Sequence, residues 1–361
     1  MVPINRLPLD VLCIIPTYLA SLNDRLRVTF VCRHWHRTFL QHATLWSQLH
    51  LSGRTDWLLV KTLLERTKGS SLDITANHFT SSIHDVTLFS PFAQQIRSLK
   101  LSGIPSDQVQ DLSIAISGPL LLLRTLEIST RRCIGGPDSL VTSTHPLFES
   151  AMNLEGFTLR IFEFPSLCHF TFPNLTTFSF SIMYTRTFPV SELLNFLEAS
   201  PVLQWINVSI DADQFHEDVP LERVVILPYV KTFSLCIVNY GPGCEIAAHI
   251  SCPFAKRVEF SHMLGCAGNN VPEAIYPPSA VWNTIIHQYT RGTVEQVALE
   301  MMMDEDLTID CWITFRSSDG ATLKLCYTHH AIVMDDDDDD DLEANLKYRL
   351  PEIFSQACRT I

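Results

Sequence analysis

One arrangement of apolar and polar positions recurs along most of the chain. Each copy has an apolar residue, a second three positions later and a third two positions after that, and it ends in the alternation typical of a strand with one buried side. The copies begin at Ile96, Leu123, Leu154, Leu175, Leu203, Val230, Ala255 and Val294, with weaker copies earlier at Trp46 and Leu72. The pattern therefore predicts a long series of strands at similar intervals.

Segments with helical spacing lie between several of these copies. Residues 56–68, 106–117 and 191–198 carry apolar side chains three or four positions apart, as an amphipathic helix does. Strands that alternate with helices predict an α/β fold with parallel strands. Units of about 20–30 residues, each with a strand and a helix, are typical of leucine-rich repeats, and residues 45–300 resemble that family.

This resemblance implies a solenoid with parallel strands and outer helices. Regular repeats carry Asn or Cys three positions after the third apolar residue, whereas Ile104, Arg131 and Phe162 stand at that position here. We therefore expect an irregular solenoid over residues 51–305. The alternative is an ordinary α/β domain with short parallel strands.

A solenoid would place the polar residues of its strands on an open concave face, because neighbouring side chains of a strand point to opposite sides. Trp205 is the conspicuous large residue among small polar ones, and Trp is common at binding hot spots. Either Trp205 anchors a partner or a loop of its own chain covers it. The hypothesis for target binding comprises Ser98, Lys100, Thr125, Glu127, Thr158, Arg160, Trp205 and Asn207.

The first fifty residues follow a helical pattern instead. Leu7-Pro8 precedes apolar residues at helical spacing, and proline is well tolerated in the first turn of a helix. Pro16 interrupts this pattern and predicts a kink or a split, because proline lacks the backbone N–H. Two further helical patterns follow, around residues 22–31 and 35–40.

These short helices carry more large apolar side chains than they can bury among themselves. An exposed apolar patch usually marks a partner surface, and packing against the rest of the chain is the alternative. The order and spacing of these residues resemble the F-box motif, in the form found in large numbers in fungi. The residues that carry the resemblance are Leu7, Pro8, Val11, Leu12, Ile15, Leu19, Leu22, Leu26, Val31, Cys32, Trp35, Leu45 and Trp46.

The resemblance implies a three-helix F-box at residues 1–50 that binds the Skp adaptor of SCF-type (cullin-RING) ubiquitin ligases and, through it, a cullin. The motif residues would be divided between the core of this module and the adaptor interface. The chain would then be a substrate receptor that binds an unidentified target protein. The alternatives are a scaffold that binds the adaptor without delivering a target, and an enzyme with an unrecognised site.

Residues 306–361 differ from the repeats. Alternation in residues 311–315 and 321–327, on either side of Asp319-Gly320, predicts a β-hairpin. The run Asp335–Asp341 predicts a solvated loop, because like charges repel one another. Binding of a basic partner or of divalent cations is the alternative for this run. Residues 342–361 have helical spacing.

Composition and charge narrow the classes of partner. The chain has 361 residues, of which 46% are hydrophobic and 18% charged, which excludes a largely disordered chain. The formal net charge of −13 argues against nucleic-acid binding, which needs basic surface. No apolar run approaches the roughly 18 residues of a membrane span, and no secretory signal is expected. We therefore expect protein partners rather than nucleic acid or a membrane.

The candidate chemistry is sparse. The 11 cysteines contain no C-x-x-C pair, so we expect reduced thiols in the cytoplasm and/or nucleus. One cluster of possible zinc ligands matches no finger spacing: Cys244, His249, Cys252, His262 and Cys266. The sequence lacks a phosphate-binding glycine loop, a G-x-S-x-G elbow and an H-E-x-x-H motif. We therefore expect no metal, no cofactor and no catalytic activity.

Overall fold

A computed structural model describes most of the chain, in two compact units, Met1–Leu175 and Thr176–Ile361. The described residues are 7–19, 22–52, 57–77, 83–105, 116, 119–131, 151–161, 167, 171–216, 223–238, 244–264, 294–303 and 308–330. Each unit combines helices with parallel strands. This mixture confirms the predicted α/β class.

The first unit begins with short helices. They are α1 (Leu9–Ile14), α2 (Leu22–Thr29) and α3 (Arg33–Gln41). A 3₁₀ helix, Ile15–Tyr18, follows α1, and another, Ala43–Trp46, follows α3. The α-helical hydrogen bonding thus ends at Ile14, just before Pro16, which confirms the predicted interruption.

Five parallel strands form the sheet of the first unit, in the order in which they occur along the chain. They are β1 (Gln48–Ser52), β2 (Leu72–Asn77), β3 (Ile96–Pro105), β4 (Thr125–Arg131) and β5 (Gly156–Ile161). Helix α4 (Trp57–Arg66) joins β1 to β2, and a 3₁₀ helix, Ile83–Gln95, joins β2 to β3. The predicted helix at 106–117 lies outside the described residues, apart from buried Ile116.

The recurring apolar residues form the core of this sheet. Leu99 is aligned with Leu126 on the neighbouring strand, and Leu126 with Phe157 on the next, and all three are buried. The buried apolar residues of each copy therefore pack against those of the copy on the neighbouring strand. This stacking explains why the same spacing recurs, because every strand needs the same inward side chains to bury its neighbour.

Parallel strands also form the main sheet of the second unit, again in chain order. They are β6 (Thr177–Pro189), β7 (Trp205–His216), β9 (Thr232–Val238) and β11 (Arg257–Leu264). Helix α5 (Val190–Glu198) joins β6 to β7, close to the predicted span of residues 191–198. A small separate sheet pairs β8 (Val225–Ile226) with β10 (Ile250–Ser251), which follows α6 (Cys244–Ala248).

The last copy of the pattern belongs to a different arrangement. Strands β12 (Val294–Met303), β13 (Thr308–Ser317) and β14 (Thr322–His330) pair antiparallel, and β14, not β12, lies beside β11. Val297 of β12 is 36% exposed, whereas the corresponding Val258 of β11 is 2% exposed. The prediction that the copy at Val294 continues the parallel series is therefore wrong. Alternation reports which side chains are buried and not the direction in which the strand runs.

The hairpin of β13 and β14 closes at the Asp-Gly turn. Gly320 has a φ of +82°, a left-handed conformation that suits glycine. The Asp319 carboxylate accepts a hydrogen bond from the backbone N–H of Ala321 at 3.0 Å, which holds the pKa of Asp319 below its ordinary value. The run Asp335–Asp341 and the predicted helix at 342–361 lie outside the described residues. In the described part of the chain, no helix has the length and apolar character to cross a membrane.

Candidate functional site

The apolar residues of the F-box resemblance fall into two groups, and one group forms a core. Leu12, Trp35, Leu45 and Trp46 are buried, together with Phe39 of α3. The Trp35 and Phe39 rings meet edge to face with centroids 5.3 Å apart. The indole N–H of Trp46 donates to the carbonyl of Phe39 at 3.1 Å. These side chains stabilise the helices and are not available to a partner.

Arg25 connects this core to the first strand. Its Nε donates to the Leu19 carbonyl at 2.9 Å, and one terminal nitrogen donates to the Gln48 carbonyl at 2.8 Å and to the Leu45 carbonyl at 3.4 Å. Burial lowers the pKa of the guanidinium below its ordinary value. Sequence reasoning assigned no role to Arg25, since nothing in the pattern distinguishes it from the other arginines of this segment.

The second group is exposed, and we call its residues together the N-terminal apolar surface. It consists of Val11, Ile14, Tyr18, Phe30 and Val31, each more than 40% exposed. Tyr18 and Phe30 stand out, with 82% and 77% of their surface exposed. The sequence hypothesis included Val11 and Val31 and missed the other three. The remaining predicted residues are half-buried or, for Pro8, exposed: Leu7, Pro8, Ile15, Leu19, Leu22, Leu26 and Cys32.

The same segment exposes basic side chains. Arg33 and Arg37 of α3 are exposed, and Arg27 of α2 is exposed beside Asp24, with 3.3 Å between their charged atoms. A protein that covers the N-terminal apolar surface would therefore meet both apolar and cationic groups. Such a combination suits a partner surface with apolar and acidic residues.

The predicted target-binding residues divide between the two units. Six lie on one face of the sheet in the first unit: Ser98, Lys100, Thr125, Glu127, Thr158 and Arg160. Lys100 and Glu127 are aligned on neighbouring strands and form an ion pair at 3.4 Å. Trp205 and Asn207 lie in the second unit, where Trp205 is 37% exposed between Thr177 and Thr232.

An open groove of about 670 Å³ lies on the polar face of the first unit, and we call it the strand-start groove. Its lining includes Arg97 and Arg124 near the starts of β3 and β4. Arg97 is hydrogen-bonded to Asp73 through two nitrogens, and Arg124 is bonded to Glu155 at 2.7 Å. Other lining residues are Gln48, His50, Thr75, Ser98, Lys100 and Thr125. The sequence hypothesis included Lys100 but missed Arg97 and Arg124, although these two arginines directly precede Ser98 and Thr125, which it did include.

The candidate zinc cluster receives no support from the described part. His249 is buried, with its Nδ1 2.7 Å from the carbonyl of Arg223, and Cys252 is buried as well. The structure does not describe the side chains of Cys244 and His262, nor Cys266. Among the described residues, no group of three or more possible ligands is placed to hold a metal ion.

Comparison with known protein families identifies a domain at the start of the chain. A family model described as F-box-like matches residues 4–52, a span that ends with the last residue of β1. F-box domains typically bind Skp-type adaptors, and the match suggests a component of SCF ubiquitin ligase complexes. A search of curated proteins found no match to this sequence.

Proposed function

We propose that this chain is the substrate-recognition subunit of an SCF-type (cullin-RING) ubiquitin ligase. In this proposal, the F-box-like domain binds a Skp-type adaptor and, through it, a cullin, and the strand-rich remainder binds a target protein. The mechanism is proximity, because a tethered target meets the ubiquitin-loaded enzyme at a high effective concentration. The chain itself supplies no catalytic group.

The observation that carries the proposal is the division of the apolar residues in the F-box-like domain. Its core is already filled by Leu12, Trp35 and Trp46, yet Tyr18 and Phe30 remain largely exposed. Burying apolar surface is favourable by about 25 cal/mol per Å². A partner that covers these two aromatic side chains therefore gains binding free energy without disturbing the core.

The proposal extends to the strand-rich remainder. We propose an irregular solenoid of the leucine-rich-repeat type that ends at β11, within an F-box protein of the kind numerous in fungi. Parallel pairing in chain order within each unit and the recurrence of buried positions support this assignment. Cys236 is a free thiol, which fits the proposed location in the cytoplasm and/or nucleus.

Adaptor binding is tested at the turn between α2 and α3. Changing Phe30→Asp together with Val31→Asp should weaken co-purification with a Skp-type adaptor by more than about thirtyfold, because charged groups would replace apolar contacts at the centre of the interface. The matched control is Leu121→Asp with Leu122→Asp. This second adjacent apolar pair is also about half exposed, at 54% and 50%, and lies in the same unit before β4. It should leave adaptor binding unchanged.

The outcome is interpretable because both pairs are on the surface. Far-ultraviolet circular dichroism should show the same fold for both variants, and normal adaptor binding by a folded Phe30/Val31 variant would contradict the proposal.

The same Phe30→Asp/Val31→Asp variant distinguishes a substrate receptor from a scaffold. A receptor that no longer binds its adaptor should hold its target without consuming it, so that the target accumulates, whereas a scaffold should change no protein's lifetime.

A further inference from the structure

We infer that the strand-start groove binds an acidic segment of the target protein. The inference rests on the proposed function and deepens it by naming the chemical class of the target. Three cationic side chains, Arg97, Lys100 and Arg124, line the groove, and each has about half of its surface exposed. They are therefore accessible to a ligand.

The two arginines come from neighbouring segments of the chain. The backbone N–H of Arg124 donates to the carbonyl of Arg97 at 2.8 Å, so the two residues are neighbours on adjacent chain segments. The planar forks of arginine match a carboxylate well, so two neighbouring arginines suit a segment that carries several carboxylates.

Carboxylates of the chain itself contact the two arginines. Asp73 contacts Arg97 from β2, and Glu155 contacts Arg124 from the residue before β5. These pairs are solvent-exposed, and exposed ion pairs contribute little net free energy, so a ligand can replace them at small cost. The residues that line the groove carry three positive and two negative charges, and Lys100 is also paired at 3.4 Å with Glu127, which is not among the lining residues.

The size of the groove favours a protein segment over a small free anion. Its lining residues come from four neighbouring strands and the residue before the fifth. Neighbouring strands are about 4.8 Å apart, so the groove spans roughly 19 Å. An extended chain covers that distance with about six residues, which is the length of a short linear segment.

The test uses the full chain and two labelled ten-residue peptides, alternating Glu-Ser and the neutral Gln-Ser, with binding measured by fluorescence anisotropy. The Glu-Ser peptide should bind at least about tenfold more tightly, and added salt should weaken its binding. Changing Arg97→Gln with Arg124→Gln should weaken binding by about tenfold or more. The control Arg257→Gln removes an arginine from a similar exposed ion pair, with Glu259 at 3.1 Å in the second unit, and should have no effect.

Removing an acidic side chain of the groove should strengthen peptide binding, whereas removing the arginines should weaken it. Glu155→Gln takes away the carboxylate that competes for Arg124, so the Glu-Ser peptide should bind about two- to fivefold more tightly. A purely structural ion pair would give the arginine and glutamate variants the same effect on peptide binding.

Three results would overturn the inference: equal binding of both peptides, unchanged binding by the double arginine variant, or weaker binding by Glu155→Gln. Binding of a phosphoserine peptide in the absence of Glu-Ser binding would overturn it in favour of a phosphorylated segment. Adaptor co-purification, which the groove variants should leave intact, reports separately on the proposed function.

Discussion

Two tryptophans of the F-box-like domain are both buried, but they differ in their hydrogen bonding. The Trp46 indole N–H donates to the Phe39 carbonyl, and the Arg66 guanidinium lies 5.8 Å from the ring centroid of Trp46. Trp35 is also buried, yet within the described residues its indole N–H has no acceptor. Burying a polar group without a partner costs free energy, so the two indoles contribute differently to stability.

This difference predicts different effects of the same substitution. Trp46→Phe should lower the free energy of unfolding by about 1 kcal/mol more than Trp35→Phe, because only Trp46→Phe removes a buried hydrogen bond, which leaves the Phe39 carbonyl with the 3.3 Å bond from the N–H of His42 alone. The volume lost is the same in both variants, so each is the control for the other. Urea denaturation of the full chain measures both values, and equal or reversed losses would contradict the assignment.

The sequence could identify the apolar residues of this domain but not which of them face inward. Adjacent Val11 and Leu12 both fit the helical pattern, yet Val11 is exposed and Leu12 is fully buried. Periodicity fixes the angles between side chains of one helix, whereas the direction of the core depends on the neighbouring helices. The role of Arg25 was equally hidden, because its acceptors are backbone carbonyls that only the fold brings together.

At the scale of elements, the copies of the apolar pattern locate most strands correctly. Those at Ile96, Leu123 and Leu154 correspond to β3, β4 and β5, whose inward residues are buried. The copy at Val294 falls on a strand as well, but on an antiparallel one. Strand position follows from local alternation, whereas pairing direction depends on connections between distant segments.

A matched pair of valines tests this distinction. Val258→Ala should lower the free energy of unfolding by about 2 kcal/mol, since two buried methyl groups are lost and a cavity remains. Val297→Ala, at the same position of its own copy, should cost less than about 0.5 kcal/mol because Val297 is partly exposed. If urea denaturation gave similar losses of unfolding free energy for both variants, the copy at Val294 would have to be grouped with the other copies of the pattern.

At the scale of the whole molecule, the F-box-like domain and the first sheet belong to one compact unit. Arg25 bonds the carbonyl of Gln48 in β1, the Ser47 carbonyl accepts from the N–H of Asp73 in β2, and α4 packs on the 3₁₀ helix Ala43–Trp46. The boundary expected at residue 50 therefore falls inside β1. Sequence reasoning placed it where the pattern changes, and a change of pattern carries no information about contacts.

Deletion of residues 1–50 should therefore damage more than adaptor binding. It removes most of β1 and the buried Leu45, Trp46 and Leu49, each of which contributes about 1.5–3 kcal/mol through burial. We expect the truncated chain to melt at a lower temperature and to be cut faster by protease than the intact Phe30→Asp/Val31→Asp variant. Equal melting temperatures would show that the sheet of the first unit is independent of the deleted residues.

Arg25, the buried arginine that connects helix α2 to strand β1, also bears on how the chain would position a bound target. If the chain is the proposed receptor, the hydrogen bonds of Arg25 to Leu19 and Gln48 would help to fix the distance between the bound adaptor and a target on the polar face of the same unit. Which lysines of a bound target are modified would then depend on their distance from the ubiquitin-loaded enzyme. A lysine held too near to that enzyme or too far from it would not be modified.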